Sequence, residues 1–313
     1  MTPHDHGADG HAGHQQGIAV DADQRYLTGA LGLLLAYMVA EVVVAIVTNS
    51  LALLSDAGHM LTDAGAIAVA LWAMRLAARP ARDVWTFGWK RAEILSALGN
   101  GVTMLVIAAV VAVEAIRRLV DSHPDVHGGP VLVVALLGIV VNLAVAWLLA
   151  KANRSSLNVE GAYQHILTDL YGFIGTVIAA IVIITAGWMK ADAVASLVVA
   201  ALMVHAGWGL LRGSVRILLE AAPAGTSLDE IRRHLLEAPH VHDVHDLHVW
   251  TVTSGLASLS AHLVIDDSCF SDGHAPQILD QVQECLGGHF DVEHSTFQLE
   301  PRSHVEHEHG AHA

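Results

Sequence analysis

Long uninterrupted apolar runs dominate the first two thirds of the chain. Six of them, at 27–48, 51–76, 94–119, 130–149, 159–186 and 191–211, reach the roughly 20 residues that a helix needs to cross a hydrocarbon layer. Beyond Pro223 the pattern becomes amphipathic. Thr226-Ser227-Leu228-Asp229-Glu230 is a helix-start signature. It predicts a helix over 228–238, strands over 244–252 and 256–265 around a Ser254-Gly255 turn, a helix over 276–286 and a strand over 295–300. The order αββαβ fits an open α+β sandwich of ferredoxin-like type with its helices on one sheet face. The expected fold class is therefore an α-helical membrane protein with six transmembrane helices and a C-terminal ferredoxin-like α+β domain. Its divisions are a disordered tail at 1–25, the spans at 26–215, the α+β domain at 216–301 and a second tail at 302–313.

Composition agrees and narrows the class. The 313 residues are 53% hydrophobic and 15% charged, with a mean hydropathy of +0.48, whereas soluble domains are about 25% charged. A net charge of −15 repels nucleic acid and suits a cationic partner. Three helix pairs leave both chain ends on one side of the bilayer. That side carries Arg25, Arg75, Arg79, Arg82, Lys90, Arg91, Lys151, Arg154, Arg212 and Arg216, against Arg117, Arg118 and Lys190 on the other. The excess places both termini and the C-terminal domain in the cytoplasm, in a multi-pass protein of the inner (plasma) membrane. The N-terminus lacks the layout of a cleaved signal, so the first span is expected to stay.

The 22 histidines are the compositional anomaly. His4, His6, His11 and His14 lie in the first tail, and His304, His307, His309 and His312 in the second, where such tracts hold divalent metal weakly. Two further pairs interrupt spans. His59 and Asp63 in the second, and His165 and Asp169 in the fifth, share the spacing that puts both side chains on one helical face. A carboxylate at a span's centre costs roughly 2.5–3.5 kcal/mol, so it faces a cavity or a partner. Two imidazoles and two carboxylates supply four N/O ligands for a tetrahedral Zn²⁺. Asp56 is an accessory candidate, whereas Glu41, Asn49, Asn100, Glu114, Asn142 and His205 read as helix-packing or interfacial groups. Gly58, Gly65, Gly161, Gly172 and Gly175 flank the ligand pairs and suit close helix approach.

In the C-terminal domain His245, His262, His294 and Glu300 fall on or beside neighbouring predicted strands, where some of them form a candidate regulatory metal site. Cys269 and Cys285, the only cysteines, read as small packed hydrophobes.

The run from Asn49 through Asp63, the loop Phe87-Gly88-Trp89-Lys90-Arg91-Ala92-Glu93, the lead-in Leu157-Asn158-Val159-Glu160-Gly161-Ala162 and the segment His245-Asp246-Leu247-His248-Val249-Trp250 resemble the cation diffusion facilitators. Within that family they resemble the bacterial zinc/cadmium/cobalt exporters, over about residues 25 to 300. The resemblance implies a homodimer of six-span subunits with a cytoplasmic ferredoxin-like domain at the dimer interface, exporting metal against incoming protons. It implies His59, Asp63, His165 and Asp169 as the transport site, with histidine first, the pattern associated with zinc. It also implies a charge interlock between Arg91 and Glu220, and His245 and His262 as cytoplasmic ligands. Where members carry a histidine/aspartate pair in the last strand, this chain has Gln298 and Glu300.

Chemistry makes the coupling intelligible. Zinc needs neutral imidazole and ionised carboxylate, so it displaces protons from a protonated site, and imidazole's reference pKa of about 6.5 allows such occupancy. A metalloenzyme would need an open zinc position and a base, but there is no His-Glu-x-x-His and the two pairs fill four positions, so no enzyme and no cofactor are expected. A passive zinc channel or a membrane metal sensor would use the same ligands.

Overall fold

The computed structural model describes residues 12–48, 51–120, 128–290, 292 and 294–305; within these the side chains of 12–22, 45, 48, 51–59, 128–135, 288, 289 and 305 lie outside the described set. Two compact units result, Met1–Ser214 and Val215–Ala313.

The first unit consists of α1 (Ala12–Thr48), α2 (Leu51–Ala77), α3 (Ala92–Val120), α4 (Gly128–Leu149), α5 (Leu157–Ala186) and most of α6 (Ala191–Leu218). All six coincide with the expected spans, and five satisfy length and hydropathy for crossing a membrane over the described residues, with the described part of α4, Leu136–Leu149, as a shorter apolar helix. Helix α1 starts earlier than expected. Residues 12–25 are helical, not the disordered tail that composition implied, while 1–11 lie outside the described residues. The extension has an anchor: the Asp23 carboxylate is buried and accepts the Asn153 backbone N–H at 2.7 Å, tying α1 to the α4–α5 loop.

Leu27, Leu34, Ile67, Leu71, Val145, Leu149, Val159 and Ile166 interlock α1, α2, α4 and α5 in one apolar core. Val106, Val110, Ile178, Ile181 and Val198 point outward and exposed, as they would toward lipid, since a helix that satisfies its own backbone loses nothing by presenting apolar side chains to hydrocarbon. Helices α3 and α6 meet backbone to backbone. A Cβ built on Gly101 would sit 3.1 Å from the Gly207 carbonyl oxygen, and one on Gly207 would sit 3.1 Å from the Gly101 carbonyl oxygen. Of the glycines expected to permit close approach, Gly161 faces Asn100 at 3.2 Å and Gly175 faces Ala195 at 3.5 Å, whereas Gly65 faces open space.

The second unit contains α7 (Leu228–Leu236), β1 (Val241–Thr253), β2 (Leu256–Ile265), α8 (Cys269–Asp272), α9 (Ala275–His289), β3 (His294–Pro301) and α10 (Arg302–Val305). The expected αββαβ order holds, with two short helices added; α10 occupies the start of what was expected to be a tail from 302. Ser227 caps α7 by accepting the Glu230 N–H, as its motif predicts. The sheet order is β1-β2-β3, antiparallel then parallel. Ile231 and Leu235 of α7 and Ile278, Val282 and Leu286 of α9 pack on Leu259, Ala261, Leu263 and Ile265 of β2. Alternation therefore turns Ser258, Ser260 and His262 to the face away from the helices.

Strand β1 is three residues longer than the β2 segment it pairs with, 13 against 10. The surplus is absorbed at three register shifts, after Val241, His245 and Thr251. The middle one is a bulge in which Asp246 takes φ 50°. Such a bulge bends a strand and re-aims the side chains beside it.

Candidate metal centre

Asp63 on α2 and His165 and Asp169 on α5 converge inside the helical unit. His165 is 5% exposed, and its Nε2 lies 2.7 Å from Asp63 Oδ1 and 3.9 Å from Asp169 Oδ2. One donor atom from each of the three lies within 4.8 Å of the others. His59 is on α2 one turn before Asp63, but its side chain, like that of Asp56, lies outside the described residues.

Two interactions fix the helices that carry these groups. Asn158, buried at the start of α5, donates from Nδ2 to the Ala70 carbonyl of α2 at 2.9 Å. Asn158 and His165 are seven residues apart, as are Ala70 and Asp63, so this bond lies about 10 Å below the ligands on both helices. At the α5 N-terminus Ser156 accepts the Val159 N–H and donates to Glu93 of α3. Nothing local in the sequence marks Asn158 for this bond, whose acceptor lies 88 residues away.

The ligands line a cavity of about 330 Å³. From His165 and Asp169 it runs past Thr176 on α5 to Asp192 at the start of α6, bordered by Ile107 and Val111 on α3. Asp192 also pairs with Arg118 at 3.4 Å, so the end of α3 and the start of α6 are bridged at the cavity's far end. Asn142, read as a packing residue, hydrogen-bonds the Gly138 carbonyl and reaches the cavity wall. Glu114 pairs with Arg118, and His205 is exposed on α6.

In the C-terminal unit His245 and His262 are cross-strand partners. Their rings meet edge to face with centroids 5.1 Å apart. Glu300, 1% exposed, reaches His262 Nδ1 at 2.9 Å and His245 Nε2 at 3.3 Å, and accepts a 2.6 Å hydrogen bond from Gln298 Nε2. These three donors also lie within 4.8 Å of one another. They sit on the sheet face opposite the helices, beside the bulge. Asp246, delivered there by the bulge, is 3.7 Å from His262. His294 stands elsewhere. It pairs in register with Ser258, six residues along β3 from Glu300, or about 20 Å, and the structure does not bring it to the cluster. Arg91 lies just ahead of α3, and Glu220 lies past α6 with φ 59°; they belong to different compact units.

A buried imidazole between two half-buried carboxylates inside an apolar helix bundle is a metal-handling arrangement, and known proteins share its sequence. Residues 27–219 match the Cation efflux transmembrane domain, and 223–302 match the cytoplasmic domain of Cation efflux proteins. The chain belongs to the cation efflux family. This cation efflux chain is 38% identical over 93% of its length to a "Cadmium, cobalt and zinc/H(+)-K(+) antiporter" of Bacillus velezensis, covering 93% of that protein. It is 39% identical over 89% of its length to the "Metal cation efflux system protein CzcD" of Cupriavidus metallidurans, covering 87% of it. It is 37% identical over 94% of its length to "Zinc transporter ZitB" of Escherichia coli, covering 92%. A solved structure, the metal-bound C-terminal domain of the CzcD transporter, is 36% identical over 24% of this chain and 99% of that one, with a TM-score of 0.22.

Proposed function

We propose that this cation efflux protein exports zinc, with cadmium and cobalt as further substrates, from the cytoplasm across the inner membrane in exchange for protons, and that it works as a homodimer. The observation that carries the reading is the convergence of Asp63, His165 and Asp169 on a cavity inside the helical unit; the names of its relatives supply the ion class and the antiport. His59 completes a four-ligand N/O set, and Zn²⁺ is the cargo of that set. No cofactor and no catalysed reaction enter the scheme.

The cycle follows from ligand chemistry. Facing the cytoplasm, the site exchanges its protons for Zn²⁺, because only neutral imidazole and ionised carboxylate bind the ion. Rearrangement then exposes it to the other side, where metal leaves and protons return. With both termini cytoplasmic, Asp192 lies toward the far side of the membrane, and the cavity from His165 to Asp192 is the route by which metal leaves. His245, His262 and Glu300 form a cytoplasmic metal site that senses the exported ion, and Arg91 and Glu220 form a charge interlock at the membrane surface.

The test is zinc uptake into proteoliposomes under an imposed proton gradient, with internal pH recorded alongside. The reading requires wild type to concentrate zinc while protons move oppositely, and the Asp63→Ala/Asp169→Ala double variant to do neither. Zinc that merely equilibrates, with no pH change, identifies a channel and overturns the antiporter.

A further inference from the structure

A second histidine cluster lies at the end of the sheet, apart from the His245–His262–Glu300 group. It is assembled from the α7–β1 turn and the β2–α8 turn. His240 Nδ1 lies 3.1 Å from one oxygen of Asp266, and His242 Nε2 lies 2.7 Å from the other. Cys269, at the first turn of α8, is 1% exposed and a free thiol. One donor atom each from His240, Asp266 and Cys269 lies within 4.8 Å of the others.

The backbone holds this geometry. The Asp266 N–H donates to the His240 carbonyl at 3.2 Å, and the Cys269 N–H donates to the Asp266 carbonyl at 3.0 Å. His240 itself adopts φ 69°, a left-handed conformation that costs a non-glycine residue energy and is found where a side chain must be aimed. The His274 ring stacks 6.0 Å from that of His240 and walls one side.

We propose that His240, His242, Asp266 and Cys269 form a binding site for a thiophilic divalent cation, Cd²⁺ or Zn²⁺, distinct from the transport site and from the His245–His262–Glu300 site. Two imidazole nitrogens, a carboxylate oxygen and a sulfur are a tetrahedral donor set. With metal–ligand bonds of about 2.0–2.3 Å, donors in such a shell stand roughly 3.3–3.8 Å apart; His240, Asp266 and Cys269 already lie within 4.8 Å of one another, and His242, 2.7 Å from the second Asp266 oxygen, is the fourth donor beside them. Sulfur distinguishes this set from the two N/O sets and tilts it toward the softer ion. His240, His242 and Asp266 are part-exposed and give the ion its entrance, while Cys269 closes the inner side. Metal bound here cross-links the two turns at one end of the sheet.

The chain's two cysteines make the site readable by absorbance. Titrating the purified full chain with Co²⁺ produces a near-ultraviolet thiolate-to-cobalt charge-transfer band if sulfur ligates. The expected result is a band in wild type, in Cys285→Ser and in the Asp63→Ala/Asp169→Ala/His245→Ala/His262→Ala background. The band is absent in Cys269→Ala. It appears at no less than tenfold higher Co²⁺ in His240→Asn, an exposed exchange that keeps the left-handed backbone. Either no band in wild type, or a band that survives Cys269→Ala, overturns the proposal. Because the band is also expected when transport is abolished, its outcome is independent of the transport reading.

Discussion

His165 bridges two helices: its Nε2 lies 2.7 Å from Asp63 Oδ1 across the α2–α5 boundary and 3.9 Å from Asp169 Oδ2 on its own helix. The ring is held between two carboxylates, each of which keeps lone pairs for a cation. Replacing either carboxylate removes one of the proposed ligands and half of the negative charge that the two supply. Asp169→Ala is expected to cut proton-driven zinc accumulation in proteoliposomes at least tenfold with the helical circular dichroism unchanged. Normal flux in that variant would remove Asp169 from the site.

Asn158 touches no ligand, yet its bond to the Ala70 carbonyl joins the two helices that carry them. Asn158→Ala removes this bond while the Ala70 carbonyl keeps its partner within α2, a net loss of about 0.5–1.5 kcal/mol. The expected outcome is a lower thermal midpoint together with several-fold weaker zinc binding, read by calorimetry on the purified chain. Asn158→Asp, which cannot donate when ionised, should fall no higher than the alanine variant.

The α3–α6 crossing leaves little room at Gly101 and Gly207. Gly101→Val places a branched carbon against the Gly207 carbonyl and Leu210, and overpacking of this kind costs about 1–3 kcal/mol. A depressed melting temperature measured by tryptophan fluorescence is the expected result, while Gly65→Ala, which meets open space, should leave it unchanged.

In the C-terminal domain the Asp272 carboxyl sits below the usual carboxylate range, chiefly because the His274 ring hydrogen-bonds it at 2.8 Å, helped by the His274 backbone N–H. A depressed carboxyl contributes stability that is present above its unfolded pKa, about 3.9, and that fades as pH falls through the lower folded value. Asp272→Asn should therefore lower the thermal midpoint at pH 6 and converge with wild type at the acid end of a pH series. A constant offset down to the lowest pH would mean the carboxylate has no part in it.

The spans were legible because about 20 apolar residues in a row admit few alternatives, and the His-x-x-x-Asp spacing put His165 and Asp169 on one face of α5 whatever the tertiary structure. What stayed hidden depends on contacts between elements. Composition made residues 12–25 look like a tail, but a buried Asp23 bonded to Asn153 continues the helix there. Strict alternation misreads β1, whose three extra residues shift which side chains share a face. His294 was grouped with Glu300 by strand identity, yet position along the strand, not face, separates them. Asn158, Gly101 and Gly207 act only through partners distant in sequence, and nothing local marks them.

The bond from Asn158 to α2 has a kinematic corollary. A coordination shell divided between two helices that slid past each other would be torn apart and rebuilt in every turnover, at the moment the ion is least solvated. The Asn158 bond between α2 and α5, one level below Asp63 and His165, opposes that sliding. Rearrangement would then fall to the surrounding helices, α3 and α6 among them, whose backbones meet at Gly101 and Gly207 with Leu105 and Leu210 beside the contact.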